Sequence, residues 1–352
     1  MSRFIQLHIL TSYPPSNLNR DDLGRPKSAI VGGVSRLRIS SQSLKRAWRT
    51  SDLFKSALSG HVGIRTKEMG EQVFEKLKSK GVGEKDARDW AKKIAECFGK
   101  LKSDKKTGDN ADLHIEQLAH FGPEEQKAID DLVEQLAKNK KDPTGEQLNL
   151  LRAPHSAVDI ALFGRMLAAK PEFNVEAAAQ VAHAFTVHKA GVEDDYYTAV
   201  DDLKPREKEV GAGHIGETGF GAGVYYLYLC INRELLEKNL GGNTALRNKA
   251  LAALLNAVTK VSPTGKQNSF ASRAYASYVL AEKGDQQPRS LSLAFVKPVN
   301  GHDHLDQAIQ ALMTKRANMD KVYGPCAASH ADLNAETGNG SLAELITFVQ
   351  AD

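Results

Sequence analysis

The stretch Arg36–Arg49 reads RLRISSQSLKRAWR, which predicts a short strand that runs through two serines into a helix. Residues at i, i+3, i+4 and i+7 of a helix share one face. On this helix the shared face is largely cationic and consists of Gln42, Lys45, Arg46 and Arg49. The opposite face carries Leu44, Ala47 and Trp48, which can pack against a core.

The start of this helix has the features of an anion-binding site. Ser40 or Ser41 is a suitable N-cap residue. A helix N-terminus also offers free N–H groups and a partial positive charge. The cationic stripe beside it favours a polyanion, and a nucleic-acid backbone is the main hypothesis. The alternative is an ordinary amphipathic helix with a solvated basic face.

The positive charge of the chain is unevenly distributed. The 352 residues carry a net charge of +4. Residues 1–50 hold nine Lys/Arg against two Asp/Glu, whereas the rest of the chain holds 38 against 41. A positive field concentrated in one segment favours a localised anionic partner. The length allows two domains, or one domain with a large insertion.

Cysteine usage and hydropathy indicate a cytoplasmic protein. Cys97, Cys230 and Cys326 are far apart and form no CxxC pair, which fits a reducing compartment. The segment Met1–Leu10 is too short and too polar for a signal peptide. No apolar run approaches the ~20 residues that cross a bilayer. We therefore expect no membrane partner.

Strand-like and helix-like segments interleave along the chain, which predicts the α+β class with a β-α-β-β-α-β-like core. The predicted strands are Arg3–Leu10, Arg36–Ile39, Ala157–Leu162, Ala184–Lys189, Gly223–Asn232, Ala274–Ala281 and Leu291–Val296. The predicted helices, besides the one after Ser41, are Glu68–Lys80, Glu84–Lys102, Pro123–Lys141, Ala245–Val261, Leu305–Lys321 and Leu342–Gln350. The charged helices between about 60 and 150 predict a helical insertion.

Two long loops interrupt this pattern. The first, 11–33, is polar, and loops of that length in a compact domain are usually functional or disordered. The second, 192–223, is acidic at first and then rich in glycine, which predicts a flexible hairpin or an extended arm.

No sequence motif indicates an enzyme. The chain lacks a P-loop, an HExxH and a GxSxG motif. His302 and His304 are best read as a surface pair, and we expect no metal and no cofactor. The acid pairs at 21–22, 194–195 and 201–202 could hold a divalent ion or cleave RNA. Loop turns and helix caps are the favoured explanation of these acids.

Several features together indicate nucleic-acid binding. The basic residues Arg20, Arg25, Lys27, Arg36 and Arg38 precede the cationic helix. A second cluster, Lys138, Lys140 and Lys141, suits phosphate contact, although cations also stabilise a helix C-terminus. Aromatic residues flank the second loop and can either stack on bases or pack a hairpin base. They are Tyr196, Tyr197, Phe220, Tyr225 and Tyr226.

The order of several motifs resembles the CasC family, the backbone subunits of the type I-E CRISPR surveillance complex Cascade. The N-terminal motifs are FIQLHIL, PSNLNRDD and RISSQSLKRA. Further matching stretches are VDIALFGRM at 158–166, DYYTAVDDL at 195–203, NLGG at 239–242 and Ser269–Phe270. The resemblance covers nearly the whole chain and is weakest in the helical insertion and after about residue 284.

The resemblance implies an RRM/ferredoxin-like palm with a helical fingers insertion and a thumb hairpin. On this basis the palm comprises 1–58 and 156–352, the thumb lies at about 193–223, and the fingers comprise 59–155. It further implies a non-catalytic subunit that binds crRNA. Several copies would polymerise head to tail along the guide and present its bases to target DNA in antiviral defence.

The resemblance also implies partners and site residues. The partners are crRNA, target DNA, adjacent copies of the chain, and the large, small, crRNA 5′-handle and crRNA-processing subunits of Cascade. The implied RNA-binding residues are Arg20, Lys27, Ser40, Gln42, Lys45, Arg46, Arg49, Arg165 and Met166. The implied thumb residues are Tyr196, Tyr197, Thr198, Val200, Asp201 and Phe220. The implied DNA-binding residues are Lys138, Lys140 and Lys141.

Two other functions stay open at this point. The first is a metal-dependent ribonuclease like the backbone subunits of type III CRISPR complexes, with Asp21 or Asp22 in a comparable loop. The second is a small-molecule α+β enzyme whose basic stripe is only a solvated face.

Overall fold

A computed structural model describes residues 2–103, 110–153, 155–168, 170–199 and 214–351. The described residues form 11 strands and 11 α-helices, so the predicted α+β class is confirmed. The strands are β1 Phe4–Ser16, β2 Ser28–Val31, β3 Val34–Ile39, β4 Ile64–Thr66, β5 Ala119–Phe121, β6 Ala179–Val181, β7 Ala184–Thr186, β8 Glu193–Ala199, β9 His214–Asn232, β10 Tyr278–Gly284 and β11 Ser329–Asn334. The helices are α1 Ser41–Thr50, α2 Asp52–Ala57, α3 Met69–Ser79, α4 Glu84–Glu96, α5 Pro123–Asn139, α6 Val158–Phe163, α7 Arg233–Asn239, α8 Thr244–Lys260, α9 Gln267–Phe270, α10 His304–Tyr323 and α11 Leu342–Gln350.

The contacts divide the chain into two compact units. Unit 1 comprises 1–54, 180–232 and 251–352, and unit 2 comprises 55–179 and 233–250. The predicted palm, thumb and fingers boundaries stay a prediction, as does the RRM-like detail of the palm.

Unit 1 is built on a nine-stranded sheet in the order β11-β10-β1-β9-β7-β3-β2, with β6 and β8 also paired to β9. Strand β1 pairs antiparallel with β9 from Phe4↔Asn232 to Ser16↔Gly221 and with β10 from Phe4↔Gly284 to Leu10↔Tyr278. The predicted apolar face of β1 is confirmed, because Ile5, Leu7 and Ile9 are buried. The strand continues past Leu10 to Ser16 and shortens the predicted loop.

The other face of β1 is also buried, and it carries a polar network. His8 lies between the Tyr226 hydroxyl, 2.9 Å away, and a Glu282 carboxylate oxygen, 3.1 Å away. Glu282 also accepts hydrogen bonds from Arg289 and Arg316. Burial alone would raise the pKa of Glu282, but these donors hold that pKa well below its usual value. Burial lowers the pKa of His8, so its ring is neutral at neutral pH.

Unit 2 holds the helices of the predicted insertion. Helices α3, α4 and α5 occupy the predicted segments, although α4 ends at Glu96 rather than Lys102. Their apolar faces form one core that includes Phe74, Trp90 and Leu132. A buried ion pair joins Arg165 to Glu125 at 2.8 Å, with both side chains fully inaccessible. Glu125 also accepts the N–H groups of Gly122 and Arg152.

Two predicted strands are wrong. The segment 157–162 lies in helix α6 and its N-cap, and 291–296 contains the 3₁₀ helix Ser292–Phe295. Five successive residues of α6 are buried, so the run shows no period that separates a helix from a strand. In the second segment Leu291 and Phe295 are buried while Leu293 is exposed, which is helical spacing. Strands β2, β4, β5, β6 and β11 were not predicted.

No helix in the described ranges is long and apolar enough to cross a membrane.

Replacing Glu125 with alanine removes the carboxylate that neutralises the buried Arg165 guanidinium. We expect the free energy of unfolding of unit 2 to fall by about 3–5 kcal/mol, because an unpaired buried charge remains. Urea titration followed by circular dichroism measures the loss. The matched control is Asp131→Ala on the same helix, which breaks the exposed Lys127–Asp131 pair. That change should cost less than ~0.5 kcal/mol, and equal losses in both variants would contradict a structural role for the buried pair.

Candidate nucleic-acid interface

Helix α1 forms as the sequence predicts, and Ser40 is its N-cap. The Ser40 hydroxyl accepts a hydrogen bond from the Ser43 N–H at 3.3 Å. The predicted apolar face is buried through Leu44, Ala47 and Trp48. On the other face Gln42 and Arg46 are exposed, and Lys45 and Arg49 are half-buried. The stripe is therefore displayed on a helix anchored in unit 1.

The loop 17–27 is held in place by its own side chains. The Asn19 carbonyl accepts from the Lys27 N–H at 2.8 Å, and an isolated bridge pairs Arg20 with Pro26. The Asn19 side chain accepts from the Ser40 N–H at 2.8 Å. The loop is thus tied directly to the start of α1, so both basic segments share one surface.

Three cations gather around His183 where this loop meets β3 and α1. The Arg38 guanidinium lies 2.8 Å from His183 Nδ1. Partial burial, followed by the charges of Arg38, Lys27 and Lys45, lowers the pKa of His183. The ring is neutral at neutral pH, so it relieves none of the repulsion among its neighbours. An anion at this position would relieve it.

A pocket of about 480 Å³ lies between the loop and α1. Arg20, Ser43 and Arg46 line it together with Thr264 and Gly265. Asp21 and Asp22 line it as well. The Asp21 carboxylate accepts the N–H groups of Leu23 and Arg25 at 3.0 and 2.9 Å, which is turn chemistry.

A second pocket of about 360 Å³ adjoins the loop on the side of β8 and β9. Arg20 and Arg25 line it together with Tyr197 and Lys266. Arg25 forms an ion pair with Asp194 at 2.8 Å. The buried Asn17 side chain donates to the carbonyls of Gly24 and Gly219. These bonds fix the loop against the base of the β8–β9 hairpin.

The described part of the predicted thumb is an antiparallel pair, from Glu193↔Phe220 to Ala199↔His214. Tyr196, Tyr197 and Thr198 are exposed on β8. The Tyr197 ring lies across Gly216, where a Cβ atom would come within 2.3 Å of it. Phe220 packs near Phe270 with ring centroids 6.1 Å apart. Two predicted thumb residues, Val200 and Asp201, lie outside the described residues.

Unit 2 carries the other predicted residues. Met166 is 77% exposed, and the three lysines of the second cluster are exposed at the C-terminal end of α5, with Lys138 in its last turn. Arg165 is buried, and its donors are directed at Glu125 and at the carbonyls of Phe173 and Arg152. We therefore remove Arg165 from the candidate contacts, because a saturated buried guanidinium cannot reach a phosphate.

Arg36 of unit 1 is also structural. It is fully buried and donates to the carbonyls of Thr186 and Phe295 at 2.8 and 3.0 Å. Arg36 and Arg38 are two positions apart on β3 and therefore lie on the same face of the strand, but Arg36 is buried whereas Arg38 is half-buried. The sequence predicts that the two arginines share a face but does not show that Arg36 is the one that becomes buried.

Two contributors to the surface were missed at the sequence level. Asn19 lies in a polar loop, where an asparagine usually indicates only a turn. Its role here is to accept a hydrogen bond from the Ser40 N–H, 21 positions away in the sequence. His183 is adjacent to Arg38 only because β7 pairs with β3 at Arg38↔Phe185. Across the described ranges, no group of three or more His, Cys, Asp or Glu side chains could hold a metal ion.

The fold and this surface define an α+β protein with a preformed cationic surface on its large antiparallel sheet. The chain belongs to the CT1975-like protein family (Cas_CT1975), whose model matches residues 5–347. No curated protein matches the sequence significantly.

Two solved structures are similar over nearly the full chain. One is described as "CRISPR RNA-guided surveillance complex, pre-nicking", with 30% identity, a TM-score of 0.82 and 99% of each chain covered. The other is described as "CRISPR RNA-guided surveillance complex", with 26% identity, a TM-score of 0.62, and 99% of this chain and 98% of the other covered. The predicted relationship to subunits of such complexes is confirmed at this level.

Proposed function

We propose that this protein is the crRNA-binding backbone subunit of a type I-E Cascade complex. Several copies polymerise head to tail along one guide RNA. Each copy grips the phosphate backbone and leaves bases free to pair with target DNA. The similarity to chains of CRISPR RNA-guided surveillance complexes supports the complex. The type I-E assignment rests on the sequence motifs that resemble the CasC family.

The observation that carries this proposal is the cationic surface around His183 and along α1. Lys27, Arg38 and Lys45 come from a loop, a strand and a helix, yet the charges of all three act on the His183 ring and lower its pKa. Such a cluster costs repulsion unless an anion neutralises it. Lysine and arginine side chains can contact the phosphates of any RNA sequence, whereas contacts to base edges distinguish one sequence from another. A subunit that binds guides of any sequence needs phosphate contacts.

The remaining contacts are proposed from the positions of the residues on the loop 17–27, on α1 and in unit 2. Arg20, Gln42, Arg46 and Arg49 extend the phosphate track, and the Ser40 cap fixes the start of α1. Exposed Met166 packs against bases near a displaced one. Lys138, Lys140 and Lys141 contact the target DNA through its phosphates.

Assembly is heterologous in this proposal. The β8–β9 hairpin, with exposed Tyr196 and Tyr197, reaches toward the adjacent copy and displaces a guide base. Head-to-tail contacts leave an open filament, which the RNA and the other Cascade subunits limit in length. Sequence recognition is delegated to base pairing. The location is cytoplasmic, where the guide and target meet.

We further propose that the subunit is not an enzyme. The type III-like ribonuclease hypothesis needs a loop aspartate free to bind metal. Asp21 is engaged by the N–H groups of its own turn, which leaves Asp22 as the candidate.

Replacing Lys45 and Arg49 together with alanine should weaken RNA binding about tenfold at moderate salt. Two lost phosphate contacts should also reduce the slope of log K against log salt by about 1.4. Fluorescence anisotropy with a labelled unstructured RNA measures both quantities.

The matched control is Lys315→Ala with Lys321→Ala, which removes the same charge from α10 of unit 1. Circular dichroism shows whether each variant is folded. Unchanged binding by the α1 variant, or equal weakening by the control, would show that α1 does not contact RNA.

Incubating the assembled complex with complementary RNA and Mg²⁺ tests the non-enzyme proposal. We expect the RNA to stay intact on a denaturing gel, because the Asp21 carboxylate is already held by the N–H groups of its own turn. Regularly spaced cuts that disappear in Asp22→Ala would overturn the proposal and establish the ribonuclease.

A further inference from the structure

The segment 262–274 is a closed surface loop that the function described above does not use. Its ends are joined through Ser262, whose hydroxyl donates to the Ala274 carbonyl at 3.1 Å and accepts from the Ala274 N–H at 3.0 Å. Inside the loop the Gln267 amide donates to Pro263 and Ser272. Compact loops with closed ends are frequently functional.

The loop is seated against the loop 17–27 of the RNA-binding surface. A Cβ atom at Gly265 would lie 2.4 Å from the Leu18 carbonyl oxygen and 2.6 Å from that of Asn17, so only glycine permits this contact. Thr264 and Gly265 line the same pocket as Arg20 and Arg46. The loop therefore forms a wall of the cationic surface.

The contact between the two loops places Lys266 at the edge of the cationic surface. It is exposed and lines the second pocket with Arg20, Arg25 and Tyr197. Its backbone has φ 50°, in the left-handed region that a lysine rarely adopts. Strained backbone of this kind persists where the surroundings fix it, often at functional sites.

We infer that the loop 262–274 is a third element of the guide-RNA site. In this inference Lys266 contacts an RNA phosphate between Arg20 and the base of the β8–β9 hairpin. This inference rests on the proposed function. The contact continues the phosphate track of α1 and the loop 17–27 toward β8. The other explanation is that Lys266 only balances Glu217 and Asp194 in the same pocket.

Salt dependence separates the two explanations. A phosphate contact releases counterions, so its loss flattens the salt dependence of RNA binding, whereas an internal charge balance leaves that dependence unchanged. The test variant is Lys266→Gln, which keeps a long polar side chain. The control is Lys321→Gln, which removes the same charge from α10 and lines neither pocket.

The full chain is titrated against a labelled unstructured RNA at several KCl concentrations. We expect Lys266→Gln to weaken binding about threefold to tenfold and to reduce the salt slope by about 0.7. The control should match the wild type.

Each outcome is decisive. If Lys266→Gln binds RNA as tightly as the Lys321→Gln control and keeps the wild-type salt slope, this inference is wrong, while the proposed function is unaffected. A wild-type chain that binds no RNA would overturn the proposed function itself. Weaker binding with an unchanged slope would assign Lys266 a structural role and reject the phosphate contact.

Discussion

The pairing of β1 with β9 is the constraint on which the rest of unit 1 depends. Its register joins Phe4 to Asn232 at one end and Ser16 to Gly221 at the other. Strand β1 then enters the loop 17–27, while the N-terminal part of β9 pairs with β8 to form the β8–β9 hairpin. A single antiparallel ladder therefore places the basic loop beside the hairpin base, and Asn17 and Arg25 fix them together.

The charge distribution of this surface supports the proposed RNA-binding role. A stable surface normally disperses like charges, yet this one directs cations from a loop, a strand and a helix at a neutral histidine. Arginines that serve the fold are treated differently, because Arg36 and Arg165 are buried with carbonyl or carboxylate acceptors. Burial therefore distinguishes the arginines that stabilise the fold from the cations of the candidate interface, which the proposal assigns to RNA.

The sequence predicts the local features well and the distant contacts poorly. The Ser40 cap and the apolar face of α1 follow from short-range spacing, and so do the long helices. Fully buried runs mislead, as α6 shows, because burial on all sides removes the periodic signal. The same limit applies to the site. Only the sheet register brings His183 to Arg38, and only tertiary folding buries Arg165.

The central claim is that this surface holds a guide RNA. Its most direct test is to purify the full chain from cells that carry its CRISPR array, measure the ultraviolet absorbance ratio and sequence any bound nucleic acid. The account predicts a discrete small RNA transcribed from the array, released as salt is raised. Protein that is free of nucleic acid even at low salt would contradict it.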